Sequence, residues 1–488
     1  MIDRSNFSII GIVLGLIIFC LFLFSPPADG ISKTGWITAG VALLMTVWWI
    51  SEAVPIYITG IIPLIIFPLT DVFKIKTVAT SYSHPLVLLF LGGFIIASAL
   101  EKTGLHKRIA LRILKFFGTS QSNILAGFMF TTALLSMWVS NTASTIMMLP
   151  IAMSVIVIFN KEVKVVNSKN EFSKALLLSI AYSASIGGTA TLIGTPTNIM
   201  LVSILNDTYG YEISFAQWLK IGLPIVIILI PISWLYLSNI IFKLSNKSSN
   251  EVDKIIIKLN KQLGKASFAE KVVAFIFILT ASLWILRRKI NQEFNLDLND
   301  TSIGLLGALL LFMIPINKKE RSINWETASK IPWGVLLLVG GGISLSSAIK
   351  SSGLGEWIGS FSFLFNDLNP YLLILFSLVL IVFLTELNSN TATVATFIPI
   401  LIVLTVDLNY NPLFFIIPVT IAASCAFMLP IATPPNAVIF GSGKIKIQDM
   451  VVTGFFLNII AISVVGAISL VIFNMLGYQL DVRPEWIN

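Results

Sequence analysis

Residues 370–407, PYLLILFSLVLIVFLTELNSNTATVATFIPILIVLTVD, decide the fold of this chain. They form a long apolar run that a Ser-Asn-Thr triplet, residues 389–391, interrupts near its centre. Residues 121–159 have the same pattern, with Ser-Asn-Thr at 140–142. Polar groups inside hydrocarbon are tolerated only where the backbone is buried in protein or lines a polar cavity. We therefore predict two re-entrant hairpins whose tips lie at membrane depth.

The composition agrees with a membrane protein. Of 488 residues, 56% are hydrophobic and 11% charged, with a mean hydropathy of +0.91, whereas soluble domains are about 25% charged. A spanning helix needs about 20 mostly apolar residues, which predicts an all-α polytopic fold. Single spans are predicted near residues 7–25, 35–51, 54–70, 85–101, 218–242, 270–286, 302–316, 333–350 and 450–476. With broken helices at 175–206 and 413–441 crossing once each, the prediction is eleven crossings plus two hairpins.

The basic residues predict the orientation. The net charge of +8 comes from 32 Lys and Arg against 24 Asp and Glu, scattered over short loops. A nucleic-acid-binding protein would concentrate this charge on one face, whereas basic loops mark the cytoplasmic side of membrane proteins. Most of the basic residues lie inside if the N-terminus is cytoplasmic, in segments near 102–115, 161–174, 243–271, 318–330 and 444–446. An odd number of crossings then places the C-terminus outside.

Residues 243–271 form the one long polar segment near the middle of the chain. Four lysines at helical spacing lie opposite three apolar residues: Lys254, Lys258, Lys261 and Lys265 against Ile255, Leu259 and Leu263. This pattern predicts an amphipathic helix on the inner membrane surface. It would connect a first half, residues 1–242, to a second half, residues 272–488.

The two halves repeat the same signals in the same order. The matched pairs are Leu88–Gly93 with Leu336–Gly341, Ser140–Ala143 with Ser389–Ala392, and Gly194–Asn198 with Ala432–Asn436. Because the predicted hairpins enter from opposite sides, we expect an inverted repeat. Inverted repeats with paired broken helices are typical of transporters that bind substrate near the membrane midplane.

The residue types at the breaks indicate the chemistry. Helix N-termini, hydroxyls and the Asn amide favour an anion, so two facing tips suit a substrate with two anionic centres or a compact dianion. Freed carbonyl oxygens suit Na⁺. No Lys or Arg lies near the triplets to neutralise a dianion, which favours cation-coupled uptake over an anion channel. Glu386 is a conspicuous intramembrane carboxylate, and the sequence leaves open whether it is functional or a structural hydrogen-bond anchor.

Several motifs together resemble the divalent anion/sodium symporter family. They are Trp48–Pro55, the two triplets and residues 423–439, in which Ser424, Phe427, Pro430 and Asn436 resemble the family's sodium symporter signature. The resemblance implies a first sodium site at Ser136, Ser140, Asn141 and Gly194 and a second at Thr385, Asn388, Asn390 and Ala432, with Asn388 acting through its carbonyl. It implies substrate contacts at Ser140, Asn141, Thr142, Thr195, Ser389, Asn390, Thr391, Thr433 and Pro434.

The resemblance also implies sodium-coupled symport of C4-dicarboxylates such as succinate, malate and fumarate across the cell membrane. The implied architecture is a homodimer with an elevator mechanism. Uptake of citrate or sulfate, or sodium-independent dicarboxylate exchange, stays open. An enzyme is disfavoured because the chain has no HExxH or GxSxG motif and its two histidines, His84 and His106, lie at predicted membrane edges. Cys20 and Cys425 lie in apolar runs and suggest neither a disulfide nor a metal site.

Overall fold

A computed structural model describes residues 4–162, 166–245, 250–317 and 320–487. Within these ranges the chain is helical, without β-strands apart from one isolated bridge, so the predicted all-α fold is confirmed. The α-helices are α1 Arg4–Phe24, α2 Lys33–Ile50, α3 Ile56–Thr59, α4 Ile62–Leu69, α5 Ile75–Tyr82, α6 Pro85–Thr103, α7 Leu105–Leu114, α8 Gln121–Ser136, α9 Asn141–Glu162, α10 Val166–Gly188, α11 Pro196–Tyr209, α12 Phe215–Leu235, α13 Asn250–Gln262, α14 Phe268–Phe294, α15 Asp300–Met313, α16 Trp325–Ala328, α17 Trp333–Ser351, α18 Leu354–Gly359, α19 Pro370–Thr385, α20 Asn390–Asp407, α21 Leu413–Ala423, α22 Pro434–Phe440 and α23 Ile447–Met475. Parts of the predicted inner segments 161–174, 243–271 and 318–330 lie outside the described residues.

Apolar helices occupy the predicted single-span regions. By length and composition, six helical stretches of the described chain could each cross a membrane: Ile75–Thr103, Phe215–Ile241, Phe268–Phe294, Trp333–Ser351, Asn390–Asp407 and Ile447–Met475. A seventh is possible if the 118° bend between α18 and α19 lies within one span. The count of eleven crossings stays a prediction. In the region 54–70, which is predicted as one span, the apolar stretch Ile56–Leu69 is interrupted between α3 and α4 at Gly60, where a Cβ would lie 2.9 Å from the carbonyl oxygen of Leu337.

All four interruptions predicted from polar residues, Gly and Pro are breaks between helices. α8 ends at Ser136 and α9 begins at Asn141, while α19 ends at Thr385 and α20 begins at Asn390. The Asn of each triplet is therefore the first residue of the second helix. Two longer gaps, residues 189–195 and 424–433, separate α10 from α11 and α21 from α22. We call these gaps the first and second unwound segments.

Backbone conformations match between the halves. Gly104 joins α6 to α7 with φ 75°, and Gly353 joins α17 to α18 with φ 79°. Glycine suits both places because L-residues seldom adopt positive φ. Thr195 and Thr433, which precede α11 and α22, have φ/ψ of −143°/145° and −141°/147°. The repeated sequence signals thus accompany repeated local structure.

The repeated Gly-Gly pairs lie where helices approach backbone to backbone. A Cβ on Gly92 of α6 would be 2.7 Å from the carbonyl carbon of Gly304 in α15, and one on Gly341 of α17 would be 2.3 Å from the carbonyl oxygen of Gly60. Small residues at such crossings permit the close packing on which membrane helices depend. The Gly-Gly pairs of these two repeated motifs therefore serve close helix packing.

The central connector contains the predicted helix, α13, which packs on α7 and α9. Leu259 and Leu263 are half-buried against the core, whereas Lys258 and Lys261 are exposed. Beyond α13, Arg108 of α7 pairs with Glu270 of α14 at 2.7 Å, both nearly buried. Its guanidinium also donates to the carbonyls of residues 263 and 264. The connector is thus fastened to protein on one face.

Candidate functional site

One cavity of about 580 Å³, which we call the central cavity, lies between the helix breaks. Eleven residues predicted to bind substrate or sodium line it: Ser140, Asn141, Thr142, Gly194, Thr195, Ser389, Asn390, Thr391, Ala432, Thr433 and Pro434. Groups from the two halves, far apart in sequence, therefore share one space. Ser136, Thr385 and Asn388 do not line the cavity, and the first two are buried behind it. The Asn388 side chain instead accepts a hydrogen bond from the Ser389 amide.

Behind the first triplet, three oxygens form what we call the first oxygen cluster. Ser136 Oγ lies 2.6 Å from Asn141 Oδ1 and 2.7 Å from the carbonyl oxygen of Ala184 at the end of α10. Gly188 leaves room for this arrangement, since a Cβ there would lie 2.3 Å from Asn141 Oδ1. A Cβ on Gly194 would likewise lie 2.3 Å from the carbonyl oxygen of Gly188. Ser136 and Asn141, two of the four predicted first sodium residues, thus contribute to a compact group of uncharged oxygens.

Behind the second triplet, the same arrangement forms the second oxygen cluster. Thr385 Oγ1 lies 2.5 Å from Asn390 Oδ1 and 2.9 Å from the carbonyl oxygen of Ala423 at the end of α21. A hydroxyl residue, a triplet asparagine and a helix-terminal carbonyl therefore occur in both halves. The sequence analysis did not assign Ala184 or Ala423 to the site, because any residue has a backbone carbonyl. Only their place just before the unwound segments could have indicated them.

Two further asparagines hold the unwound segments in shape. Asn198 Nδ2 donates to three carbonyls of the first segment and its edge, at 2.7 Å to Thr191 and 3.3 Å to Gly188 and Thr189. Asn436 Nδ2 donates to the carbonyls of Ala426 and Leu429, at 3.1 and 3.0 Å. Both side chains are fully buried. These asparagines end the third repeated motif, and the repeat was the signal that could have assigned this role.

Glu386 is the anchor of the second unwound segment. One carboxylate oxygen accepts hydrogen bonds from the amides of Phe427 and Met428 and from Asn458 Nδ2, at 2.7, 2.9 and 2.7 Å. The other accepts from the Leu429 amide at 3.0 Å. In the described part of the chain, the hydrogen-bond partners of Glu386 are all donors, four in number, which suits an ionised carboxylate. Of the two readings that the sequence left open, the hydrogen bonds support the structural anchor.

The charges at the cavity are separate from the triplets. Glu52, Glu101 and Lys330 line the wall, whereas both triplets are uncharged. Within the described chain, His, Cys, Asp and Glu side chains do not gather in groups of three that could hold a metal ion. The available ligands are hydroxyls, amides and carbonyls, which suit a hard monovalent cation and an anion. A helical membrane chain with matched breaks around such a cavity defines a membrane transport protein.

The comparison with protein families agrees with this class. The family model described as "Sodium:sulfate symporter transmembrane region" matches residues 6–479, and the chain belongs to this family. The membership expected from the sequence motifs is thus confirmed. The protein named sodium-dependent dicarboxylate transporter SdcS from Staphylococcus saprophyticus is 42% identical over 466 residues, covering 94% of this chain and 90% of that protein. SdcS of Staphylococcus aureus strain USA300 is 40% identical over 487 residues, 97% of this chain and 93% of that protein. Both are named transporters, as expected for a chain that is not an enzyme.

Two solved structures resemble the fold. Neisseria gonorrhoeae MtrF, from a class described as antimetabolite efflux pumps, aligns with a TM-score of 0.61 over 99% of this chain and 98% of its own, at 12% identity. The Alcanivorax borkumensis YdaH transporter aligns with a TM-score of 0.52 over 97% and 98%, at 10% identity. At these identities the likeness supports the fold alone.

Proposed function

We propose that this protein is a secondary active transporter that couples the uptake of C4-dicarboxylates to Na⁺. The observation that carries the proposal is the pair of matching oxygen clusters behind two triplets that face one cavity. Duplicated sites of uncharged oxygens suit two monovalent cations and one anion better than a catalytic reaction. The names of the SdcS relatives support both the coupling ion and the dicarboxylate.

Each oxygen cluster would hold one Na⁺. The first ion would bind to Ser136, Ser140, Asn141 and Gly194, and the second to Thr385, Asn388, Asn390 and Ala432. The carbonyls of Ala184 and Ala423 add an oxygen to each set, because they already lie within hydrogen-bond distance of the hydroxyl residues. Sodium would compete for the oxygens that Ser136 and Thr385 now contact. Two bound cations would offset the charge of a dianion.

The substrate would lie between the triplets. Asn141 and Asn390 are the first residues of α9 and α20, so each helix presents its free amides and positive dipole end near the cavity. Two such ends match two carboxylates. The contacts would come from Ser140, Asn141 and Thr142, from Ser389, Asn390 and Thr391, and from Thr195, Thr433 and Pro434. A compact C4-dicarboxylate fits this division into two anionic ends.

The two ends of the protein differ, which supports alternating access. The cavity wall includes Glu101 and Lys330. These residues lie near the end of α6 and just before the start of α17, both of which we predict to be on the cytoplasmic side. α17 begins just after Lys330 and has 19 residues, about 28 Å at 1.5 Å per residue. At its far end Thr208 Oγ1 lies 3.1 Å from Ser346 Oγ, and the Lys350 ammonium donates to the Thr208 carbonyl. These contacts hold α11 against α17 at the end away from Lys330, and we propose that alternating access exposes the central cavity to each side in turn.

The similarity of the two halves of the chain supports an inverted repeat. We propose that the repeated breaks, the paired positive-φ glycines and the two oxygen clusters are an inverted repeat within a cell-membrane protein. Its hairpins would move with the site against the other helices, as in an elevator, in a homodimer. The N-terminus would be cytoplasmic and the C-terminus outside. Crosslinking of single-cysteine variants in membranes would test the dimer and the orientation.

The decisive experiment is labelled succinate uptake into proteoliposomes of purified protein under inward Na⁺, K⁺ or no cation gradient. Unlabelled citrate, sulfate and aspartate serve as competitors. We expect accumulation only with Na⁺, and loss of uptake in Asn141→Ala and Asn390→Ala but not in Asn474→Ala, an exposed asparagine of α23. Uptake without Na⁺ that requires internal dicarboxylate would indicate an exchanger. Transport of sulfate or citrate instead of succinate would contradict the substrate assignment.

A further inference from the structure

The central cavity has charged residues that neither repeated motif contains. Lys330, just before α17, is the one Lys or Arg side chain among the cavity-lining residues of the described chain. Glu101, near the end of α6, lines the same cavity. The side chains of Lys330 and Glu101 are exposed, and Glu52, the other carboxylate that lines the cavity, lies between α2 and α3. Lys330 and Glu101 belong to neither hairpin. They therefore line a different part of the central cavity from the uncharged Ser-Asn-Thr triplets.

Lys330 is free to change partner. Its ammonium lies 3.3 Å from a carboxylate oxygen of Glu326, one helical turn before it, with side-chain exposures of 73% and 79%. An exposed pair of this kind adds little to stability and is readily exchanged. A dianion that enters the cavity therefore competes with one weakly held carboxylate. By contrast Lys350, at the other end of α17, is held against the Thr208 carbonyl and the Tyr209 ring.

We propose that Lys330 and Glu101 are recruiting residues that draw the substrate dianion and Na⁺, respectively, to the open end of the central cavity. The inference rests on the proposed transport function. The triplets bind by short-range contacts that carry no net charge, so attraction over longer distances must come from charged residues on the cavity wall. Charges that line a cleft raise the local concentration and association rate of oppositely charged ligands. Their reach is about 8 Å at physiological ionic strength and shrinks in high salt.

This division of roles predicts that each variant affects the binding of one ligand and not of the other. Lys330→Gln should slow succinate association about three- to tenfold at low ionic strength and leave the half-saturating Na⁺ concentration unchanged. Glu101→Gln should raise the half-saturating Na⁺ concentration about two- to fivefold and leave succinate association unchanged or slightly faster. Both effects should fade as ionic strength rises. A structural defect would instead alter both ligands at every ionic strength.

The test is rapid-filtration binding of labelled succinate to purified, resin-immobilised protein in detergent, where both ends are accessible. Na⁺ is held constant while choline chloride sets the ionic strength, and a separate Na⁺ titration gives half-saturation. Lys444→Gln and Glu293→Gln make the same charge changes at exposed residues that do not line the cavity, and should behave as wild type.

Each outcome decides the proposal. The proposal is supported if succinate association is slower in Lys330→Gln at low ionic strength and reaches the wild-type rate at high salt. It also requires that Glu101→Gln raises the half-saturating Na⁺ concentration without slowing succinate association. Wild-type association in Lys330→Gln at low ionic strength overturns it, as does a defect that salt does not relieve. If wild-type protein shows no Na⁺-dependent succinate binding, the proposed function fails first and this inference fails with it. If the wild-type protein binds succinate in a Na⁺-dependent way and the two variants bind as it does, only the recruiting role is overturned.

Discussion

Replacing Glu386 with Gln should loosen the second unwound segment and weaken sodium and substrate binding together. One carboxylate oxygen of Glu386 accepts three hydrogen bonds and the other accepts one. Glutamine has one acceptor oxygen and one NH₂ group, which only donates. If its oxygen keeps the three donors, the NH₂ group faces the Leu429 amide, and two donors oppose each other. The reverse orientation is worse, because three donors then face the NH₂ group.

The magnitude follows from these four contacts. A hydrogen bond to a charged group contributes about 1.5–3 kcal/mol and a neutral one about 0.5–1.5 kcal/mol. By these figures, converting four charge-assisted bonds into three neutral ones loses about 4–8 kcal/mol of interaction, and because burying a neutral amide costs less than burying a carboxylate, we expect a net cost of about 2–4 kcal/mol. Ala432 and Thr433 lie at the end of the same segment and line the cavity. If about 2 kcal/mol of the loss opposes binding, affinity falls about 30-fold, since 1.4 kcal/mol is tenfold.

The assay pairs thermal unfolding of purified protein with Na⁺-dependent succinate binding. Glu386→Gln should lower the unfolding temperature and weaken binding, whereas Glu293→Gln, on an exposed surface, should change neither. Asn458→Leu should have a smaller effect in the same direction, because it removes one donor from the carboxylate and one acceptor from the Phe427 amide. A Glu386→Gln variant that melts and binds like wild type would refute the reasoning.

Three further predictions follow from contacts in the two halves. Ser136→Ala removes the hydroxyl of the first oxygen cluster and should raise the half-saturating Na⁺ concentration about tenfold in proteoliposome uptake, a loss of about one hydrogen bond; unchanged sodium dependence would exclude this residue from the site. Gly188→Ala places a Cβ 2.3 Å from Asn141 Oδ1 and should abolish Na⁺-dependent protection against thermal unfolding while the protein still elutes as wild type on size exclusion. Arg108→Met leaves Glu270 nearly buried without its partner and should cost about 3–5 kcal/mol of stability. The double replacement with Glu270→Met should recover most of it in the same unfolding measurement, and failure to recover would mean that the carbonyl contacts of Arg108, or the bond from the Ser267 amide to Glu270, matter more than the ion pair.

Much of the architecture was predictable because apolar runs with polar interruptions have few structural solutions. The four breaks, the helix at residues 250–262 and the family follow from such patterns. The single span expected at 54–70 stays a prediction, but hydropathy did not indicate the break at Gly60, where the chain approaches α17 closely. Eleven crossings, the orientation and the roles of the site residues stay predictions.

The sequence by itself determined which residues break the helices and that the breaks are duplicated. Only the tertiary structure brought the Ala184 and Ala423 carbonyls against Ser136 and Thr385, from 48 and 38 residues away. It also decided that Glu386 anchors amides 41 to 43 residues later. The physical reason is that a polar side chain buried in an apolar run needs a hydrogen-bond partner, but the neighbouring residues in the sequence do not indicate which group that partner is. Backbone carbonyls and amides are the same at every residue, so the fold alone selects those left free at the right place.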